Sequence, residues 1–225
     1  MNIVELAQLR YRWKGQSKDI LNIPELTIAQ GEHVFLRGES GSGKTTLLNL
    51  LAGILTPTDG SIRLLEEDLH NASSSKRDRF RADHMGVIFQ QFNLLPYLSM
   101  VENITLPCSF SKRRRDKAGD PQQTATQLLD HLQLDESLRS KLVTELSVGQ
   151  QQRVAVARAL IGQPEIIIAD EPTSALDTST RDRFIDLLFT QAEAQNSTII
   201  FVSHDPHIAS HFPRVIELSE INTAL

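Results

Sequence analysis

The run GESGSGKT, residues 38–45, restricts the fold of this chain more than any other stretch. It spells G-x-x-x-x-G-K-[ST], in which glycines let the backbone turn its N–H groups inward around phosphate, Lys44 reaches the outer phosphate oxygens, and the Thr45 hydroxyl is suited to ligating Mg²⁺. Gly38, Glu39, Ser40, Gly41, Ser42, Gly43, Lys44, Thr45 and Thr46 are the candidate phosphate-binding residues. Such a loop joins a strand to a helix, and the flanks supply both. HVFLR before it is a short apolar run, and TTLLNLLAG after it carries helical apolar spacing that ends at Gly53. An α/β fold that binds nucleotide phosphate follows.

Two more segments fit a parallel sheet around that loop. EIIIADEP runs three isoleucines and an alanine into Asp170 and Glu171, as expected of a strand buried on both faces whose acids emerge at its carboxyl end, where open α/β sheets bind ligands. Asp170 then suits an outer-shell role on Mg²⁺, and Glu171 suits polarising a water for attack on the γ-phosphate. STIIFVSHDPH is a third strand, followed by Asp205 as N-cap and Pro206 at the first helical position. His204 is left in the loop between them, within reach of phosphate. His204, His207 and His211 also raise a metal site, two of them lying four apart on the predicted helix, but no cysteine or third ligand is placed to complete it.

TELSVGQQQR, residues 144–153, reads as a helix start with a capping box, Ser147 serving one backbone N–H and Gln150 reaching back. Gly149 between them carries no side chain, and a helix N-terminus favours phosphate. Alone, the segment is a capped helix; beside the loop at Lys44 it is a second phosphate cradle in one chain.

With 225 residues, the chain has room for one domain with a subdomain. A net charge of -5 argues against a general nucleic-acid binder, and Cys108, the single cysteine, excludes an internal disulfide. No apolar run reaches membrane-spanning length and the start MNIVELAQLRYRWKG lacks a secretory apolar region, so the expected location is the cytoplasm. SKRRRDKAGDPQQ, residues 111–123, reads as a solvated surface turn.

Taken together, these pieces resemble the ATP-binding-cassette ATPases over nearly the whole chain. LSVGQ, containing Ser147, Val148, Gly149 and Gln150, matches the family signature L-S-G-G-Q except at Val148. VIFQ supplies the Q-loop glutamine, Gln90, SALD supplies the D-loop with Asp177, and His204 falls at the switch-histidine position. The resemblance implies a RecA-like P-loop core with an antiparallel β region, residues 1–91 and 161–225, and a helical subdomain, residues 92–160. It implies ATP as substrate, Mg²⁺ held by Thr45, Gln90 and, through water, Asp170, and Glu171, His204, Lys44 and Gln90 as catalytic residues. It also explains the second cradle: two cassettes close head to tail, and LSVGQ caps the nucleotide of its neighbour in a homodimer. An aromatic residue upstream of the P-loop stacks on adenine in this family. Trp13, followed by Lys-Gly, aligns best, Tyr11 is the alternative, and core packing is the competing role for either ring.

FNLLP followed by ENITLP is similar to the branch holding the LolD lipoprotein-release, MacB export and FtsE cell-division ATPases. That branch implies a separate MacB- or FtsX-like integral membrane permease, with the cassette peripheral on the inner face of the membrane. Phe92, Leu94, Leu95, Pro96 and Tyr97 line either the permease-facing groove or the core of the helical subdomain. The end at INTAL, soon after RVIELS, is expected to leave no fused permease. Two rival readings are a regulatory, FtsE-like ATPase without transported substrate and a soluble cassette of repair or translation.

Overall fold

NIVELAQLRY alternates apolar and polar residues, and in the computed structural model, which describes residues 1–39, 41–173 and 178–224, it forms strand β1, Asn2–Tyr11. There follow β2 (Leu21–Ala29), β3 (His33–Arg37), α1 (Lys44–Leu51), β4 (Asp59–Leu64), β5 (Glu67–Asp68), α2 (Ser74–His84), β6 (Met85–Ile88) and α3 (Met100–Phe110). Then come α4 (Lys112–Ala118), α5 (Pro121–His131), α6 (Val148–Leu160), β7 (Ile166–Asp170), α7 (Thr178–Ala194), β8 (Thr198–Val202), α8 (Pro206–Ala209), β9 (Arg214–Glu217) and α9 (Leu218–Ile221). The chain divides into two compact units, Met1–Arg81 with Thr198–Leu225, and Ala82–Ser197.

In the first unit, an antiparallel sheet of order β2-β1-β4-β5 is interrupted by a bulge. Gln8 takes a φ of 49°, and the β1–β4 register shifts between Ala7 and Arg10. Because strand faces alternate with period two, the extra residue moves the buried set from Val4 and Leu6 to Leu9 and Tyr11. Gly60 lies against this bulge, where a Cβ would come within 2.2 Å of the Gln8 carbonyl oxygen. The same unit holds three parallel strands, β3 pairing with β8 on one side and β9 on the other. Every residue of β8 is buried, as its unbroken apolar run requires. Phe35, Phe201 and Phe212 pack there with ring centroids 5.2 to 5.9 Å apart.

In the second unit, β6 and β7 pair in parallel, Ile88 opposite Ala169. α6 buries Val154, Ala155, Val156 and Ala157 completely, and α3 and α5 pack on it. Its small residues permit close approach: a Cβ on Gly86 of β6 would meet the Ala159 carbonyl oxygen at 2.3 Å.

Residues 111–123 depart from the expected solvated turn. Ser111 caps α4, Gly119 ends it, and Asp120 with Pro121 starts α5. The reason is Arg114, which is 3% exposed. Its guanidinium donates to the carbonyls of Met85, Arg158, Ala159 and Ile161, three of which belong to the C-terminal end of α6. Those carbonyls have no partner within the helix and carry the negative end of its dipole, so a cation suits them. Burial lowers the Arg114 pKa to about 10, which leaves it charged at neutral pH. Lys117 and Arg113 of the same short helix both donate to Glu165. Arg114→Met should therefore cost about 3 kcal/mol by orphaning these carbonyls. A thermal melt unchanged from wild type would contradict that.

Among the described residues no helix is long and apolar enough to cross a membrane.

Candidate functional site

The predicted phosphate loop lies in the first unit, between β3 and α1. Gly43, φ 100°, stands at the N-cap of α1, and any other residue there would strain the backbone and bring a Cβ within 2.9 Å of Leu21. At Gly38 a Cβ would come within 2.6 Å of the Ser42 hydroxyl oxygen, which is buried and has no hydrogen-bond partner among the described residues. Among the described residues, nothing lies within 4 Å of a Cβ added at Gly41, φ 81°, so the loop is open toward them. Lys44 reaches back over the loop, its Nζ donating to the carbonyls of Gly38 at 2.6 Å and Glu39 at 2.7 Å. Thr45 is exposed on the first turn of α1 and Thr46 is buried. A tight backbone cradle, a cation folded across it, and unsatisfied and exposed hydroxyls fit a nucleotide phosphate with its Mg²⁺. Ser40 lies outside the described residues.

An open cavity of about 690 Å³ brings Gly38, Glu39, Gly41 and Ser42 together with His204. The Asp205 side chain accepts from the His207 N–H and caps α8, with Pro206 at its start, as the sequence reading expects. α8 ends at Ala209, so His207 and His211 do not share one helix; their rings meet edge-on at 5.5 Å. The aromatic pair upstream does not share a strand: β1 ends at Tyr11, and Trp13 lies beyond it. Tyr11 is buried beneath an edge-on contact with Trp13, centroids 5.1 Å apart, whereas Trp13 is 42% exposed.

The second unit holds the remaining predicted residues except Asp177, which lies outside those described. With Ile88 opposite Ala169, Gln90 and Glu171 each stand two residues past the same register pair, at the carboxyl ends of adjacent parallel strands. Asp170 ends β7, and Glu171 takes a φ of 44°, a left-handed conformation that costs a residue with a Cβ energy. At the start of α6, the Ser147 oxygen accepts from the Gln150 N–H, and the Ser147 N–H donates to Gln150 Oε1 at 2.9 Å, a complete capping box. Ser147 and Val148 are exposed, and no described residue comes within 4 Å of where a Cβ on Gly149 would stand.

The FNLLPY segment divides by burial. Phe92 is in the core, Leu94 and Leu95 are half-buried, and Pro96 and Tyr97 are exposed, Tyr97 at 70%. Fully buried Asn103 fixes this loop, accepting from the Leu95 N–H at 2.8 Å and donating to the Leu95, Leu98 and Ser99 carbonyls. Nothing within ENITLP marks this asparagine for that role, and Gln152 and Arg158 leave no local signal either, since their partners are distant in sequence.

The sequence profile of the ABC transporter family matches residues 21–174. The chain is 40% identical over 220 residues to the uncharacterized ABC transporter ATP-binding protein YbbA of Escherichia coli K12, covering 96% of this chain and 94% of that one. It is 42% identical over 206 residues to the macrolide export ATP-binding/permease protein MacB of Campylobacter jejuni, covering 92% of this chain but 31% of that longer protein. Among solved structures, the dimeric post-hydrolysis state of the ATP-binding cassette MJ0796 of Methanocaldococcus jannaschii, bound to ADP and Pi, is similar with a TM-score of 0.83 and 35% identity. The match covers 95% of this chain and 93% of that one.

Proposed function

We propose that this chain, which belongs to the ABC transporter family and is an ATP-hydrolysing cassette, works as a nucleotide-dependent homodimer that energises a separate integral membrane permease of the MacB and FtsX kind. The observation that carries this reading is the exposed, fully capped start of α6, with Ser147 at its tip and open space at Gly149. It is a second anion cradle in a chain that already has one around Lys44, and a second copy gives it an occupant. The solved cassette dimer of similar fold, bound to ADP and Pi, supports the same assembly.

In this reading, the P-loop from Gly38 to Thr46 grips the phosphates of one copy and the partner copy's signature segment caps them. Trp13 stacks on adenine, since Tyr11 is already spent on the core. Thr45, Gln90 and, through water, Asp170 would hold Mg²⁺, which neutralises phosphate charge. Glu171 orients the attacking water and accepts its proton, His204 contacts the γ-phosphate, and Asp177 belongs to the D-loop. Catalysis is then positioning and charge stabilisation in a closed site. Residues 92–160 form the helical subdomain, residues 1–91 and 161–225 the core, and the chain sits on the cytoplasmic face of the membrane through its permease. No nucleic acid is involved.

The FNLLPY loop supplies the test of the permease. Leu95→Glu keeps the backbone bonds to Asn103, and Tyr97→Glu changes a side chain already in solvent. Both variants should retain ATP turnover as isolated subunits and lose stimulation by the cognate permease in reconstituted vesicles. Normal stimulation of both would remove this loop from the interface.

A further inference from the structure

We infer that α6 is a strut anchored at two points, with Gln152 and Arg158 as positioning residues: Gln152 holds the loop that carries Glu171, and Arg158 holds the FNLLP loop. The inference rests on the proposed role of Glu171 and adds what keeps that residue in place.

Gln152 is 2% exposed, and its Nε2 donates to the Pro172 carbonyl at 3.2 Å. Proline has no N–H, so this carbonyl is the only backbone polar group Pro172 can use to tie the loop down. The residue before it is Glu171, held at a φ of 44°. Left-handed residues with a Cβ persist only where their surroundings hold them, and the Gln152 amide is part of that surrounding. Arg158, six residues further along α6, repeats the arrangement. Its guanidinium donates to the carbonyls of Phe92 and of Asn93, the latter at 2.7 Å, and these two residues take φ values of 57° and 48°. Each anchor thus ends on a carbonyl at or next to a left-handed residue.

Between the anchors, Val154 to Ala157 are completely buried, so this part of α6 cannot shift without moving the core. Its first turn is different. A cavity of about 390 Å³ lies beside it, lined by Gly149, Gln152, Arg153, Leu132, Phe184 and Leu187. Packing is incomplete there, and the polar bond from Gln152 sets where the turn and the Glu171 loop stand relative to one another. The signature cap Ser147–Gln150 and the loop of the water-orienting carboxylate are therefore both tied to α6, whose far end grips the loop assigned to the permease.

Gln152→Met keeps length and loses the donor, and Gln152→Glu does so at constant shape. Both should lower kcat at least about tenfold with KM for ATP within about twofold, because a misplaced catalytic group costs rate without costing binding. In a Glu171→Gln background, neither should lower the residual rate further. Amide exchange should rise at Glu171 and Thr173 in both, and Arg158→Met should raise it at residues 92–95 and also at Glu171 and Thr173. Wild-type kcat in the Gln152 variants, an undiminished additional loss on top of Glu171→Gln, failure of both variants to fold, or exchange in Arg158→Met confined to residues 92–95 would each overturn the strut. Fast hydrolysis by Glu171→Gln alone would instead remove the role given to Glu171, whatever Gln152 does.

Discussion

Glu171→Gln should bind MgATP as the wild type does and hydrolyse it at least about a hundredfold more slowly, the loss expected when a positioned general base is removed and geometry is kept. Glutamine has the shape of glutamate and no basic oxygen, so the left-handed turn at the end of β7 should survive the change. Lys44→Ala should fail differently. Lys44 bridges the carbonyls of Gly38 and Glu39 as well as offering its charge to phosphate, so its removal loosens the loop and weakens binding itself. Nucleotide affinity and phosphate release measured on both variants separate the two roles. Near-normal phosphate release by Glu171→Gln would mean that another group orients the water.

Much of this site is written locally. Glycines at 38, 41 and 43, the Ser147–Gln150 box and the Asp205–Pro206 start are each read from residues within a few positions of one another, and each is formed as expected. The apolar runs of β3, β7 and β8 are legible for the same reason: a strand buried on both faces needs no polar alternation. The features that the sequence does not show depend on distant partners. Residues 111–123 look like a charged turn because nothing near Arg114 in sequence announces four carbonyls, those of Met85, Arg158, Ala159 and Ile161, waiting for a cation. Tyr11 and Trp13 look like neighbours on a strand because the bulge at Gln8 and the strand end at Tyr11 are set by pairing with β4 and β2. Gln152 and Arg158 sit among the polar residues of a helix, and only their partners, about 20 and 65 positions away, give them roles.

Ser147→Asp should abolish the nucleotide-dependent dimer while leaving α6 intact. Aspartate caps a helix as well as serine does, so the box that orders α6 retains its acceptor. The new carboxylate, however, points where the partner's γ-phosphate is expected, and like charges brought together in an interface cost several kcal/mol, so the dimer should weaken at least about a hundredfold. The comparison is made in the slow Glu171→Gln background, where MgATP is not consumed. That parent should be monomeric without nucleotide and dimeric with MgATP by light scattering, since a ligand bound by both surfaces favours the closed state only when present. Adding Ser147→Asp, or Ser147→Arg to fill the cradle with bulk, should leave ATP binding to the lone P-loop largely unchanged and remove the dimer. Val148→Gly works in the other direction: Val148 is 51% exposed at this surface, so restoring glycine should keep the dimer and preserve or raise turnover. If the Ser147→Asp protein dimerises with MgATP as readily as its parent, LSVGQ is a capped helix and nothing more, and the second cradle has no occupant.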